Sequence, residues 1–291
     1  MRTSRSRLML GAVALAASGA TACWIIGGAW IKPRSSVIEA AQKPNSDFYL
    51  QSDKDIRLRA TFYPGRSNHS PGVMILHGLG ESRQASAANA SWLASLGYAV
   101  LTLDLRGHGQ STMTDRSFGL TEAHDAYAGL TWLKGRQNNA RVGVIGISLG
   151  GAAAVLGDRG PVDADALVLQ AVYPDIRRAI RNRLLTHLPS PLAYALEPAL
   201  SAQSFLRFGE PPSRLSPLAR LPLFKGPVLI IGGAKDRYTT VEDTRDLFRA
   251  VSGKKQLLLV GHGDHEYICH LQSQIYRRSV SAFFEKSLGR T

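Results

Sequence analysis

The sequence of 291 residues predicts an α/β fold: a mostly parallel central sheet with helices on both faces, a small cap, and a transmembrane or signal helix in front. Six short apolar runs lack polar alternation, which indicates strands buried on both faces. They are GVMILHG, AVLTLDLRG, RVGVIGIS, ALVLQAV, PVLIIGG and QLLLVG. Helical patterns lie between several of them, at residues 85–96, 120–134, 241–251 and 270–288. Ligands of such sheets bind beyond the carboxyl ends of the strands, so the polar residues that follow each run are the candidate site residues.

The N-terminal segment, residues 1–34, is the first element. Three arginines within its first seven residues precede an uncharged run of 24 residues, 8–31. At about 1.5 Å per residue, a helix of this length spans the roughly 30 Å hydrocarbon core of a bilayer. Trp30 stands beside Lys32, where an interfacial anchor is expected. We therefore expect an uncleaved signal anchor.

Two cleaved forms are the alternatives to this anchor. Residues 20–22 read ATA, an A-x-A-like site, so a signal peptide that ends at Ala22 is the main one. A lipoprotein cut before Cys23 is weaker, because Ala20 stands where such signals usually carry Leu. Arginines before the apolar run stay in the cytoplasm. Anchor and cleaved forms thus both place the rest of the chain on the exported side, periplasmic or extracytoplasmic.

Charge and cysteine content narrow the function classes. The net charge is +13, of which the first 34 residues supply +5; the remaining +8 is diffuse, with its densest cluster at residues 177–183. No zinc-finger spacing and no aromatic-basic signature accompanies it, so we expect no nucleic-acid partner, whereas an anionic membrane surface is compatible. Cys23 and Cys269 are the only cysteines, so the fold is not expected to depend on a disulfide.

Residues 35–46 are interpreted as a linker and residues 47–288 as one domain. The domain begins with FYLQSDKDIRLRATFYPG, whose alternation on either side of residues 52–55 predicts an antiparallel hairpin. A cap is expected at about residues 174–222, because some fifty Pro- and Arg-containing residues separate two strands that need only one connecting helix.

Ser148 lies in the stretch RVGVIGISLGGAAAV, between a buried strand and a run of small helix formers. The chain must reverse there within one residue. Gly146 and Gly150 flank the turn, where side chains would collide as strand and helix meet. A serine in such a turn points its hydroxyl outward, and the helix N-terminus behind it offers free N–H groups to developing negative charge. The pattern predicts a nucleophile.

A serine nucleophile needs a general base, and the base needs an acid that orients it. Asp236 follows the next-to-last apolar run in GGAKDRY, and VGHGDHEY after the last run offers His262 and His265. The resulting order of Ser, Asp and His along the chain places each candidate after a separate parallel strand.

These stretches together resemble the serine esterases, lipases and aminopeptidases of the α/β-hydrolase superfamily, over roughly residues 47–288. GISLGG resembles the nucleophile elbow, HGLGES the oxyanion loop, LDLRGHGQS the D-x-R-G-H-G-x-S turn after the fourth strand, and GAKD the acid turn. Members commonly write the last loop as V-P-G-A-D-H or V-P-G-A-G-H. Aligned from Val260, VGHGDH puts the catalytic imidazole at His265 and places His262 where the family carries a glycine.

The resemblance implies an oxyanion hole made of the backbone N–H groups of Leu79 and Leu149, and no metal or organic cofactor. It also implies that SPLARL, at residues 216–221, returns the chain from the cap to the sheet. Five apolar cap residues are candidates either for an acyl pocket or for packing the cap onto the core. They are Tyr194, Leu196, Phe205, Leu206 and Phe208.

Other polar residues are given structural roles. His77 and His108 are expected to hold loops through hydrogen bonds. His124, with Glu122 and Asp125 beside it, is expected on a solvated helix face. Cys269 is interpreted as a small packed residue and not as a nucleophile.

The motifs therefore predict a serine hydrolase that cleaves a carboxylic ester, with lysophospholipids and similar acyl esters as candidate substrates, through an acyl-enzyme on Ser148, Asp236 and His265. A serine aminopeptidase or a thioesterase on the same triad is the alternative within the enzyme class. A catalytically silent, membrane-tethered binding module is the alternative from another class, because fold does not fix function.

Overall fold

The computed structural model describes residues 19–158 and 160–289. Its strands are β1 (Arg34–Ser35), β2 (Ser46–Gln51), β3 (Arg57–Tyr63), β4 (Gly72–Leu76), β5 (Ala99–Leu103), β6 (His108–Gly109), β7 (Val142–Ile147), β8 (Ala166–Gln170), β9 (Val228–Gly233) and β10 (Lys255–Val260). Its helices are α1, described over residues 19–31, then α2 (Ala87–Ser95), α3 (Glu122–Arg136), α4 (Leu149–Val155), α5 (Ile176–Leu185), α6 (Ser190–Ser201), α7 (Gln203–Phe208), α8 (Pro217–Arg220), α9 (Val241–Ala250), α10 (His265–Cys269) and α11 (Gln274–Leu288).

Eight strands form the central sheet in the order β10-β9-β8-β7-β4-β5-β3-β2. The neighbours from β10 to β5 run parallel, and β3 and β2 add an antiparallel edge. The six apolar runs that predicted buried strands are β4, β5, β7, β8, β9 and β10, and the hairpin predicted around residues 52–55 is formed by β2 and β3. The predicted α/β class with a mostly parallel sheet is therefore observed.

Helices cover both faces of this sheet. On one face, α3, α4, α8 and α9 enclose an apolar cluster that includes Leu130, Leu133 and Leu247. On the other face, α2 and α11 enclose a second cluster that includes Leu93 and Phe284. Because both faces are covered, the central strands carry apolar residues continuously and not in alternation.

One predicted helix differs in its start. The helical pattern over residues 270–288 begins at Gln274, because the hydroxyl of Ser273 accepts a hydrogen bond from the Tyr276 N–H and caps it. The residues before it form the separate short helix α10, which is capped by Asp264 and begins at His265.

The helix face expected to be solvated is only partly so. His124 is 46% exposed and lies 3.1 Å from Asp53, but Glu122 and Asp125 are fully buried, contrary to the prediction. The Glu122 carboxylate accepts hydrogen bonds from Ser117 and from the Gly119 N–H. Sequence periodicity did not reveal the burial of these two carboxylates, because their hydrogen-bond partners come from turns outside the helix.

Asp125 pairs with Arg106 of the glycine-rich turn that follows β5, at 2.6 Å between Oδ1 and Nη2. The Arg106 N–H also donates to this carboxylate at 2.8 Å. The ion pair holds that turn against α3, close to the carboxyl ends of the strands.

The insertion between β8 and β9, where a cap was expected at about residues 174–222, contains α5, α6, α7 and α8. SPLARL becomes α8, and the Ser216 hydroxyl caps it by accepting from the Ala219 N–H. An apolar cluster inside the cap includes Ile180, Leu184 and Leu200.

The described part of α1 packs on this cap. Cys23 is buried in the cap cluster, its carbonyl accepts a hydrogen bond of 2.8 Å from Gln203 Nε2, and Arg207 lies over the Trp24 ring at 3.8 Å. Trp30, predicted as an interfacial membrane anchor, instead packs partly buried against the same cluster. Part of the α1 surface that a membrane anchor would expose to lipid is therefore covered by the cap.

No helix within residues 19–158 and 160–289 is both long and apolar enough to span a membrane. The predicted uncharged run 8–31 lies partly outside the described residues, since residues 1–18 are not among them. The predicted linker, residues 35–46, begins within a short strand. Arg34 and Ser35 form β1, which pairs in parallel with β6, and the Arg34 N–H donates to the Gly107 carbonyl at 2.8 Å.

Candidate active site

A cavity of about 400 Å³ lies at the carboxyl ends of the parallel strands, between the sheet, the cap and α1. Ser148 and His265 both line it, together with Leu79 and Leu149. Asp236 lies behind His265 and is 5% exposed. The structure thus brings the five predicted site residues to one edge of the sheet, as the topology of a parallel sheet requires.

Ser148 occupies the turn between β7 and α4 with a backbone conformation of φ 47° and ψ −109°. A non-glycine residue rarely adopts positive φ, so the turn is strained. A Cβ atom on Gly146 would collide with Gly151, and one on Gly150 would collide with the Leu76 carbonyl. The small residues permit the tight turn that presents the Ser148 side chain to the cavity.

His265 and Asp236 form a hydrogen-bonded pair, with 2.8 Å between Nδ1 and Oδ2. His265 is the first residue of α10, and Asp236 follows β9 in a turn. The pair leaves Nε2 of the imidazole free of Asp236, which is the arrangement that a general base next to a serine needs.

Further hydrogen bonds fix the Asp236 carboxylate. The Thr239 hydroxyl donates to Oδ2 at 2.6 Å, and the N–H groups of Tyr238 and Thr239 both donate to Oδ1 at 2.8 Å. Burial opposes the ionisation of Asp236, but the hydrogen bonds from His265 and Thr239 outweigh it and lower the pKa of Asp236 below its ordinary value. Asp236 is therefore a carboxylate held in one orientation.

The electrostatic surroundings of His265 favour the imidazolium form. Burial acts to lower the pKa of His265, but its hydrogen bond with Asp236 and its contact with Cys269 raise the pKa above the ordinary value of about 6.5. An imidazole of raised basicity accepts a proton more readily, at the cost of being protonated in a larger range of pH.

His262 is placed elsewhere. It is exposed and stacks edge-on against Tyr267, with 4.9 Å between ring centroids. It is not among the residues that line the cavity. Of the two histidines that the sequence offered, only His265 contacts the Asp236 carboxylate.

Leu79 and Leu149, the two predicted oxyanion residues, line the same cavity as Ser148. Leu149 is the first residue of α4, so its N–H has no partner within the helix. Leu79 lies in the turn after β4. Within the described residues, neither N–H donates a hydrogen bond to another group of the protein. Both are therefore available to an oxyanion, as the resemblance implied.

The sequence did not reveal the residues that support the site. The fully buried Gln170, at the end of β8, accepts the Ser148 N–H on its carbonyl at 2.8 Å. Its side-chain Nε2 donates to the carbonyls of Ile268 and Cys269, which ties α10 to the sheet. A polar residue that ends an otherwise apolar run was the available signal for Gln170, and the TT pair after GGAKDRY was the signal for Thr239.

The apolar wall of the cavity differs from the predicted one. Tyr194, Phe205 and Leu206 are 55–71% exposed, and none of the five predicted cap residues lines the cavity. The wall comes from α5, α1 and the neighbouring turns. Its apolar members are Trp30, Phe118, Tyr173, Ile176 and Ile180. The cap folds so that α5, and not α6 or α7, lies over Ser148.

Cys269 also lines the cavity, one helical turn after His265. It is partly exposed and a free thiol. The prediction of a merely packed residue is therefore incomplete, because the Cys269 side chain is a neighbour of the His265 imidazole.

Comparison with known protein families gives one family match. The family model described as serine aminopeptidase, S33, matches residues 67–208, which is just under half of the chain. The match includes Ser148 and both residues of the implied oxyanion hole, but it ends before Asp236 and His265. It therefore covers the nucleophile elbow and most of the cap.

Similar proteins match different shares of the chain. The Bacillus subtilis protein YqkD is 29% identical over 218 residues, which is 73% of this chain and 70% of that one. The lysophosphatidylserine lipase ABHD12 of Rattus norvegicus is 35% identical over 123 residues, 40% of this chain and 30% of its own length. Among solved structures, the Pyrococcus furiosus esterase Pf2001 superposes with a TM-score of 0.69 at 22% identity, over 89% of this chain and all of the esterase.

Proposed function

On the premise that this chain belongs to the α/β-hydrolase superfamily, we propose that it cleaves a carboxylic ester through an acyl-enzyme on Ser148. The observation that carries this proposal is the hydrogen-bonded pair of His265 and Asp236 on the same cavity as a serine in a strained turn. Solved esterases and a lipase share the fold, which supports an ester substrate.

In the first half of the reaction, the Ser148 Oγ attacks the ester carbonyl carbon while the neutral His265 imidazole takes the hydroxyl proton on Nε2. The oxyanion that forms on the carbonyl accepts hydrogen bonds from the N–H groups of Leu79 and Leu149. Such donors stabilise the transition state by about 3 kcal/mol each. The tetrahedral intermediate collapses, the carbon–oxygen bond to the alcohol breaks, and His265 delivers its proton to the leaving alcohol.

In the second half, His265 takes a proton from water, and the resulting hydroxide attacks the acyl carbonyl. Collapse of the second intermediate releases the carboxylic acid, and the proton returns from His265 to the Ser148 Oγ. Asp236 keeps Nδ1 protonated throughout both halves, so Nε2 is the nitrogen that takes up and returns the proton. Asp236 does not itself accept the proton.

The test is covalent labelling by a fluorophosphonate together with turnover of p-nitrophenyl esters. We expect the intact chain to be labelled and to turn over short esters, and Ser148→Ala to lose both, with at least about a 10³-fold fall in kcat. Circular dichroism of the folded variant is the control. Labelling or turnover that persists in Ser148→Ala contradicts the assignment, and an intact chain that is never labelled favours a silent binding module.

A serine aminopeptidase is the second candidate, because the description of the matching family names that activity. An aminopeptidase must recognise a cationic α-amino group, and Glu81 and Glu266 line the cavity. Glu81 already faces His270, at 3.8 Å. Comparing p-nitrophenyl esters with aminoacyl p-nitroanilides discriminates between the two: faster turnover of the anilides at equal concentration replaces the esterase proposal.

We also propose that the chain is attached to a membrane through its N-terminal segment, with the catalytic domain on the exported side. The support is the sequence alone: arginines within the first seven residues, then an uncharged run up to residue 31. Cleavage after Ala22 remains the alternative form of the same export route.

A further inference from the structure

Arg116 is a buried arginine in the wall of the Ser148 cavity. The residue is 7% exposed, and the side chain makes one hydrogen bond, from Nη2 to the Trp30 carbonyl at 2.9 Å. Its Nε is buried without any hydrogen-bond partner. Within the described residues, no carboxylate lies within ion-pair distance of this guanidinium. A buried cation without a paired carboxylate lowers the stability of the fold unless an anion binds to it.

Arg34 brings a second guanidinium to the same place. A Cβ atom built on Gly80 would lie 3.4 Å from the Arg34 Nη1 and 4.0 Å from the Arg116 Nη1, so both groups flank this glycine. The pairing of β1 with β6 holds the Arg34 backbone there. Among the described residues, the Arg34 side chain has no ion-pair or hydrogen-bond partner.

Mutual repulsion adds to the cost of this arrangement. Burial lowers the pKa of Arg116 below its ordinary value, and the like charge of Arg34 lowers it further, although Glu122 and Asp115 act in the opposite direction. Glu122, the carboxylate with the larger effect on Arg116, already accepts hydrogen bonds from Ser117 and Gly119. Arg34 itself is exposed, so an added anion would relieve the buried Arg116 guanidinium and pair with the solvated Arg34.

The position of Arg34 and Arg116 determines where such an anion would lie in the cavity. Gly80 follows Leu79, whose N–H is one of the two proposed oxyanion donors. The anion would therefore lie only a few bonds from the ester carbonyl. Charges of both signs line the remaining cavity: Arg183 is exposed on α5, and Glu81 and Glu266 provide carboxylates.

We propose that Arg34 and Arg116 form a subsite for an anionic group of the substrate, a phosphate or a carboxylate a few bonds from the scissile ester. Guanidinium groups bind both anions through paired, charge-assisted hydrogen bonds. This inference rests on the proposed esterase function and narrows it: esters with a nearby anion are better substrates than neutral esters.

Two matched substrate pairs test the subsite and distinguish the source of the charge. The phosphate pair is 1-hexanoyl-glycerol 3-phosphate and 1-hexanoylglycerol, with the charge on the alcohol. The carboxylate pair is p-nitrophenyl hemisuccinate and p-nitrophenyl butyrate, with the charge on the acyl chain. We expect kcat/KM to favour the anionic member of one pair at least about 10-fold at 0.15 M salt. No preference in either pair overturns the subsite and leaves the esterase proposal intact.

Arg34→Gln is the decisive variant, because Arg34 makes no internal contact whose loss would unfold the chain. We expect it to lower the anionic-to-neutral ratio of kcat/KM about 10-fold and Arg34→Lys to restore part of it. Arg278→Gln is the matched control, since it removes the same charge from the exposed side of α11, away from the cavity. An equal fall of the ratio in both variants indicates a general charge effect and overturns the subsite.

Binding without turnover separates this inference from the proposed function. In Ser148→Ala, calorimetry with glycerol 3-phosphate and with succinate reports the subsite directly. We expect binding of at least one of them, weakened about 10-fold by the further change Arg34→Gln. If the intact chain hydrolyses neither pair but this binding is seen, the esterase proposal fails and the anion subsite stands. Absence of binding in Ser148→Ala overturns the subsite.

Discussion

The two histidines after β10 provide a matched comparison at the scale of single residues. His265 contacts Asp236 and lines the cavity, whereas His262 is exposed against Tyr267. We expect His265→Ala to lower kcat/KM as far as Ser148→Ala does, by about 10³-fold or more, because the members of a triad act as a unit. His262→Ala is the control and should stay within about 3-fold of the unmodified chain. Steady-state turnover of one p-nitrophenyl ester by both variants measures the ranking, and the opposite ranking would move the base to His262.

The pH dependence of turnover follows from the raised pKa of His265. The base must be neutral to accept the Ser148 proton, so kcat/KM rises with pH as His265 loses its proton. Because Asp236 and Cys269 raise the pKa, we expect the midpoint of this rise above the ordinary value of about 6.5. A pH series of kcat/KM from 5 to 11 measures it.

Asp236→Asn is the companion variant for the pH series. It removes the negative charge that stabilises the imidazolium, so its midpoint should move to lower pH, together with a large loss of rate. A profile of the unmodified chain that is flat over this range, or a midpoint that Asp236→Asn leaves unchanged, is incompatible with His265 as the base.

At the scale of elements, His77 ties the loop after β4 to the turn after β5. Its Nδ1–H donates to the Gly78 carbonyl at 2.8 Å, and its Nε2 accepts the Leu105 N–H at 3.0 Å. Only the neutral ring can make both bonds, since a protonated Nε2 would face a donor. Complete burial accordingly lowers the pKa of His77 to about 4. This loop carries Leu79 and Gly80, so its geometry depends on the protonation state of His77.

The expected consequence is a loss of stability in weak acid. A folded-state pKa below the unfolded value of about 6.5 contributes stability above pH 6.5, which is lost as the pH falls toward 4. For His77 this amounts to about 2 kcal/mol of unfolding free energy between pH 6.5 and pH 5. Urea unfolding at both pH values measures it for the unmodified chain and for His77→Gln, whose amide does not titrate.

The control for this experiment is His69→Gln, which changes an exposed histidine. It should lose as much stability in acid as the unmodified chain, whereas His77→Gln should lose about 2 kcal/mol less. Equal losses in all three proteins would mean that His77 does not remain neutral in the folded state.

At the scale of the whole molecule, the proposed membrane attachment through the N-terminal segment can be tested by fractionation. We expect the full-length chain in the membrane fraction, resistant to high salt and released by detergent, with the domain that contains Ser148 digested by protease added on the exported side. A chain without residues 2–18 should lose this association, yet it keeps the described α1 contacts between Cys23 and the cap. Fractionation and immunoblotting of both chains measure the difference.

Other outcomes of fractionation have distinct meanings. A soluble product that begins at Cys23 would replace the anchor by a cleaved signal peptide. Protection of the catalytic domain from external protease, with a cytoplasmic marker as the reference, would contradict export itself.

Much of the architecture was predictable because it depends on local pattern. The apolar runs specified six buried strands, and the glycines around Ser148 specified its turn, since sterics allow few residues there. The errors occurred where partners are distant in sequence. Asp125 on α3 was expected in solvent, but it pairs with Arg106 from the turn after β5. The helical period of a sequence carries no information about a partner from a distant segment.

By itself, the sequence determined which candidate groups follow which strands, and a parallel sheet then had to bring Ser148 and Asp236 to one edge. The aligned last loop had already placed the base at His265. Only the tertiary structure decided that His262 lies away from the cavity, that α1 packs on the cap, and that Arg34 lies beside Arg116 at Gly80. The physical reason is the range of the interactions. Hydrophobic period and turn sterics act within a few residues, whereas the surroundings of a charge depend on every segment that packs against it.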